Sequence, residues 1–130
     1  MARQSCILHV EDNETNRYVM RHFLKKLDIR LVEAVTGEEA IELAPRERPD
    51  LVLLDIRLPG IQGYEVLERL RALPETRDLP VVAVSSGAFE QDIRRARAAG
   101  FDDYIVKPVN LQKLHALIRH YLDLPMPSKP

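Results

Sequence analysis

Five times along this 130-residue chain a short aliphatic run gives way to a longer segment with apolar residues at helical spacing, an alternation that few folds accommodate. The runs Cys6 to Val10, Arg30 to Ala34, Leu51 to Leu54, Val81 to Val84 and Tyr104 to Val106 read as strands, being short, mostly aliphatic and bounded by breakers. Between them, Glu14 to Leu27 carries Val19, Phe23 and Leu27 at four-residue intervals, with Met20 and Leu24 beside them. A second helix opens at Thr36 or Gly37 and runs toward Arg46, with Ala40, Ile41 and Leu43 as buried candidates and Pro49 closing its exit. A third spans Tyr64 to Leu73 on Val66, Leu67 and Leu70. A fourth, Glu90 to Ala99, is rich in Ala and Arg, weakly anchored, and stops at Gly100, which tolerates a left-handed cap. The fifth opens at the N-cap Asn110 and carries Leu111, Leu114, Leu117, Ile118 and Tyr121 on one side.

Repeated strand-helix units imply right-handed crossovers and a parallel sheet covered on both faces, that is, a doubly wound α/β domain. Five strands at this length suit the order 2-1-3-4-5, in which the switch point falls between strands 1 and 3 and ligands bind at the strand C-termini. One domain over residues 1–123 is expected, with a frayed tail over 124–130 and no output domain after it.

Composition narrows the partners. Nineteen Lys and Arg against 20 Asp and Glu leave a net charge of -1, without the basic surplus of a DNA binder. No apolar run approaches the length of a membrane span and no signal peptide is evident, so a cytoplasmic protein is expected. Cys6, the only cysteine, reads as a buried thiol, and the four histidines show no metal-ligand spacing.

The polar residues at the strand ends are a selective set. Strand 1 ends in Glu11-Asp12, strand 3 in Asp55, strand 4 in Ser85-Ser86 and strand 5 in Lys107-Pro108. Three carboxylates in one crevice repel unless a cation neutralises them, and an all-oxygen donor set favours Mg²⁺ over zinc. Because Mg²⁺ commonly shares its shell with phosphate oxygens, phosphate is the group expected there, with Lys107 and Ser85 placed to hold its remaining oxygens. Singly, each residue has an ordinary reading: Asp55 as a turn carboxylate, Glu11-Asp12-Asn13 as a helix cap, Ser85 as a turn hydroxyl, Lys107 as a solvated cation. Their coincidence at strand C-termini favours a chemical site.

The motifs Val10-Glu11-Asp12-Asn13, Leu53-Leu54-Asp55-Ile56-Arg57-Leu58-Pro59-Gly60, Val84-Ser85 and Tyr104-Ile105-Val106-Lys107-Pro108 resemble those of the response-regulator receiver domains of two-component signalling, over Ile7 to about Leu122. The spacing Asp12-Asn13-x-x-Asn16 looks like receivers of hybrid kinases and of single-domain cell-cycle regulators. The resemblance implies a flavodoxin-like receiver with Asp55 as phosphoacceptor. It implies Mg²⁺ bound directly by Asp12 and Asp55, by Glu11 through water, and by the backbone carbonyl of Arg57. Ser85 and Lys107 would hold the phosphoryl oxygens; the Lys-Pro bond is often cis in the family, and a cis Lys107-Pro108 would aim the ammonium into the site. Arg57 and Gly87 stand two residues beyond Asp55 and Ser85, where the family's side chains influence attacking water and phosphoryl lifetime. Ser85 replaces the more frequent Thr, losing a methyl group that restricts the rotamer.

The implied function is that of a signalling switch in a phosphorelay, catalysing only its own phosphorylation and dephosphorylation. The donor would be a histidine kinase or histidine phosphotransfer protein, docking on the first helix around Asn16, Arg17 and Met20. A downstream protein would read the surface of helix 4, strand 5 and helix 5, switched through Ser85 and Tyr104, although Tyr104 is equally compatible with plain packing. Two other classes compete: an aspartyl phosphatase, disfavoured because Arg57 stands where its general acid belongs, and a docking module without phosphorylation, disfavoured by the complete acidic set.

Overall fold

The computed structural model describes residues 4–122, so the expected tail over 124–130 lies outside the described residues. The elements alternate as β1 Cys6–Val10, α1 Glu14–Lys26, β2 Arg30–Ala34, α2 Gly37–Glu47, β3 Leu51–Asp55, α3 Gly63–Ala72, β4 Val81–Ser85, α4 Glu90–Ala99, β5 Asp103–Val106 and α5 Leu111–Leu122. All pairings are parallel and the sheet order is β2-β1-β3-β4-β5.

Every residue of β1, β3 and β4 is buried, while the edge strands β2 and β5 are only partly so. Continuous aliphatic runs are what a strand covered on both faces requires, since successive side chains point to opposite sides. Leu8, Val10, Val52, Leu54 and Ala83 point into one core with Ala40, Ala44, Val66, Leu70 and Ala96 from α2, α3 and α4. Ile7, Leu51, Leu53, Val82 and Val84 point into the other with Met20 and Leu24 of α1 and Leu114 and Ile118 of α5.

The helix faces differ from expectation in three places. On α1 the buried residues are Met20 and Leu24, with Phe23 and Leu27 packed beside them, while Val19 is 46% exposed. The contacting face is thus the i, i+3, i+4, i+7 set beginning at Met20, and the four-residue interval from Val19 drifts off it. Met20 is thus part of the core, at 5% exposure, while also lining the cleft beside Val19. On α2, Ala40 and Ala44 are fully buried, while Ile41 and Leu43 are only partly buried and pack against the same core. On α5, Leu111 lies outside the core at 40% exposure.

Caps behave as their chemistry dictates. The Asn13 side chain accepts from the Asn16 amide at 2.9 Å, and that of Asn110 from the Lys113 amide at 3.0 Å. Gly100 ends α4 at φ 112°, and of α4 only Ala96 is buried, in keeping with weak anchorage. Cys6 is buried, as its apolar surroundings suggested.

Candidate functional site

The topology delivers the polar residues to one edge. β1 leads leftward to β2 while β3 leads rightward to β4 and β5, which opens a crevice at the C-terminal ends of β1 and β3. Asp55 and Ser85 are the last residues of β3 and β4, Glu11 and Asp12 directly follow β1, and Lys107 directly follows β5. The Lys107-Pro108 peptide bond is cis. Lys107 Nζ lies 2.7 Å from Asp55 Oδ2 and 2.9 Å from Glu11 Oε1.

Each carboxylate is held differently. Asp55 is buried and its Oδ1 accepts the Arg57 backbone amide at 2.9 Å. Glu11, 2% exposed, accepts from the Asn13 amide at 3.2 Å and from Asn16 Nδ2 at 3.1 Å, in addition to Lys107. Arg17 Nη1 holds the Glu11 carbonyl at 3.0 Å. Asp12 is exposed.

The charges respond to these surroundings. Burial raises the Asp55 carboxyl above its ordinary range, against the pull of Lys107 and the Arg57 amide, and the neighbouring Glu11 adds to the rise. Burial also works against ionised Glu11, but the Lys107 bond and the Asn13 amide outweigh it, so Glu11 is lowered. Lys107 loses some basicity to burial and regains more from Asp55 and Glu11, so its ammonium is stabilised.

One ammonium among three carboxylates leaves excess negative charge. Oxygens of Glu11, Asp12 and Asp55 lie within 4.8 Å of one another, close to the roughly 3 to 4.2 Å separating ligand oxygens around an octahedral Mg²⁺. The donor set is hard and all oxygen, so the residues fit such an ion.

Ser85 connects the crevice to the neighbouring loop. Its Oγ accepts the Gly87 amide at 3.1 Å, and the Gly87 carbonyl accepts the Tyr104 hydroxyl at 2.8 Å. The Tyr104 ring is half-buried and tied to the loop through this bond. Ser85, Gly87, Tyr104 and Arg57 share a cleft of about 130 Å³ with Tyr64 and Arg95, whose guanidinium carbon stands 4.5 Å over the Tyr64 ring. The Arg57 side chain is exposed.

Two features escaped the sequence reading. His9, buried on β1, lines a second cleft of about 200 Å³ with Val19, Pro108 and Leu111, and burial lowers its imidazole to about 4. The grip of Asn16 and Arg17 on Glu11 has no pattern of its own, because it spans the β1–α1 turn.

Residues 7–119 match the model of the response regulator receiver domain family. The polar-differentiation response regulator DivK of Brucella anthropi is 37% identical over 116 residues, covering 89% of this chain and 94% of that protein. Among solved structures, the receiver domain of sensor histidine kinase PA1611 from Pseudomonas aeruginosa PAO1, with a magnesium ion coordinated in its active site cleft, superposes with a TM-score of 0.85. It is 31% identical, over 94% of this chain and 100% of that one. A chain of the co-crystal structure of the Saccharomyces cerevisiae histidine phosphotransfer signaling protein Ypd1 and the receiver domain of Ssk1 gives the same TM-score at 27% identity, covering 93% and 90%. No helix among the described residues is long and apolar enough to cross a membrane. From the matched residues, the identity to these relatives and the likeness of fold, it follows that the chain belongs to the response regulator receiver domain family.

Proposed function

We propose that the chain is a phosphorylation switch in which Asp55 takes a phosphoryl group from a phosphohistidine on a histidine kinase or histidine phosphotransfer protein. The contact of Lys107 Nζ with Asp55 Oδ2 at 2.7 Å, inside an acidic cluster at the sheet's switch point, carries this reading. An Asp55 carboxylate oxygen attacks phosphorus, the new O–P bond forming as the P–N bond to the donor imidazole breaks. The electron pair stays on that nitrogen, which takes a proton from solvent. Lys107 offsets charge on the transferring oxygens. Since Ser85 Oγ accepts from Gly87, its own O–H is available to a phosphoryl oxygen. Mg²⁺, held by Asp12 and Asp55 directly, by Glu11 through water and by the Arg57 carbonyl, would neutralise phosphoryl charge further.

Water attack on phosphorus would return Asp55 and release inorganic phosphate. Arg57 and Gly87 border the cleft beside Ser85, so they are placed to set the lifetime of the modified state. The chain then turns over nothing but its own modification, and Arg57 in place of a general acid disfavours a phosphatase. Val19 and Leu111 stand exposed at the rim of the cleft reaching Glu11 and Lys107, which suits a transient donor contact in a cytoplasmic phosphorelay. Output would pass from Ser85 through Gly87 to Tyr104 and the surface of α4, β5 and α5, read by a downstream protein. The test is transfer from a radiolabelled phosphohistidine donor: label should move to the wild type and not to Asp55→Asn. Equal transfer to both would overturn the assignment.

A further inference from the structure

We propose that Asn16 is a positioning residue for phosphoryl acceptance: its side-chain amide keeps Glu11 in place when Lys107 turns from Glu11 to the incoming phosphoryl group. The idea rests on Asp55 as acceptor and goes beyond that assignment. Its basis is one shared atom. Glu11 Oε1 accepts from Lys107 Nζ at 2.9 Å and from Asn16 Nδ2 at 3.1 Å. The same ammonium is 2.7 Å from Asp55 Oδ2.

A phosphoryl group on Asp55 brings new anionic oxygens beside that ammonium, and charge-assisted bonds to them compete with the bond to Glu11. Glu11 is 2% exposed, so apart from a metal-bound water little solvent can replace a donor it loses. A buried carboxylate stripped of a donor is costly, and it would hold Lys107 back from the phosphoryl oxygens. Asn16 supplies the remaining side-chain donor to the same oxygen. It can do so without charge, leaving the ammonium to Asp55.

The local chain fixes the amide for this task. The Asn16 backbone N–H is bound by the Asn13 side chain, the Asn13 amide donates to Glu11 Oε2 at 3.2 Å, and Arg17 grips the Glu11 carbonyl at 3.0 Å. The first turn of α1 and the carboxylate it steadies are therefore one bonded unit. Asn16 is itself exposed at the rim of the cleft holding Val19 and Leu111, so its side chain can be changed without disturbing the core.

The step tested is attack of Asp55 on acetyl phosphate, in which the O–P bond to Asp55 forms as the P–O bond to acetate breaks. A small donor separates positioning from any role of Asn16 in protein docking. With saturating Mg²⁺, Asn16→Ala should accept phosphate about tenfold more slowly, the size expected for one hydrogen bond to a charged group. Asn16→Asp, equal in shape but repelling Glu11, should be slower still. In a Glu11→Gln background Asn16→Ala should cause little further loss, since the carboxylate that needs the amide is gone. Without metal or donor, the Asn13 amide resonance should move in Asn16→Ala, because it reports on Glu11 Oε2. Unchanged rates with acetyl phosphate in both Asn16 variants, an unmoved Asn13 resonance, or losses that simply add with Glu11→Gln would each overturn the proposal. Absence of labelling in the wild type would instead overturn Asp55 as acceptor.

Discussion

Lys107 and Asp55 are 52 residues apart in the chain, yet the lysine Nζ and the aspartate Oδ2 are 2.7 Å apart at the C-terminal edge of the sheet. The parallel order brings the ends of β3 and β5 to the same edge, and the contact pairs Asp55 with the ammonium of Lys107. Removing the ammonium leaves Asp55 and Glu11 facing each other in a buried crevice. Lys107→Ala should therefore lower stability by about 2 to 3 kcal/mol in metal-free buffer, in the range for uncovering buried charge. Added Mg²⁺ should restore most of the loss, which urea unfolding with and without the ion will measure. A variant as stable as wild type without metal would contradict the reading of the ammonium as the crevice's counter-charge.

Asp12 and Glu11 should differ as metal ligands. Glu11 already accepts from Lys107, Asn13 and Asn16, whereas Asp12 is exposed. Asp12→Ala should weaken Mg²⁺ by about tenfold or more, and Glu11→Ala by clearly less, as calorimetry can compare. Equal losses would mean that the two carboxylates are not in separate shells.

His9 gives the fold an acid sensitivity of its own. Its imidazole is lowered by burial from 6.5 to about 4, so between those values the unfolded chain binds a proton that the folded chain refuses. Stability from this residue is complete above pH 6.5 and is lost as pH falls toward 4, by about 3 kcal/mol at most. His9→Phe should flatten the pH dependence of the unfolding midpoint between pH 6.5 and 4. An unaltered slope would place the acid sensitivity elsewhere.

Val19 allows docking to be tested apart from chemistry. It is 46% exposed at the rim of the cleft that reaches Lys107. Val19→Glu should slow transfer from a protein phosphohistidine donor by about tenfold, the loss that truncating or charging one apolar contact produces at an interface, while acetyl phosphate labelling stays unchanged. Equal slowing with both donors would locate the effect in the site itself.

Gly87 tests the link to the output surface. A Cβ there would stand 3.0 Å from Asp92 Oδ2 and 3.2 Å from the Tyr104 hydroxyl. Gly87→Ala should therefore loosen the Tyr104 bond to the loop and raise amide exchange over residues 86–107 before any phosphorylation. In wild type a beryllofluoride mimic should alter exchange in the same residues, and Ser85→Ala should blunt that response. No response in wild type would remove Ser85 and Tyr104 from the switching path.

The sheet and its site were legible because both follow from periodicity. Fully buried strands such as Leu51–Asp55 must be aliphatic along their length, and a doubly wound sheet places whatever follows them at one edge. Helix rotation was less legible: Val19 and Met20 are adjacent and both apolar, and only packing into the core shared with Leu24, Leu114 and Ile118 decides that Met20 is inside. Likewise Ala44 carries no hydrophobic signal strong enough to announce a contact made by smallness. The bonds of Asn16 to Glu11 and of Tyr104 to Gly87 depend on side-chain direction across a turn or between strands, which spacing does not encode.

The central claim is that Asp55 accepts a phosphoryl group with the help of Mg²⁺, and intact-mass spectrometry after incubation with acetyl phosphate tests it most directly. The wild type should gain one phosphoryl group with Mg²⁺ present and far less after chelation, and Asp55→Asn should gain none. Undiminished labelling of Asp55→Asn, or labelling of the wild type that is indifferent to the metal, would contradict the account.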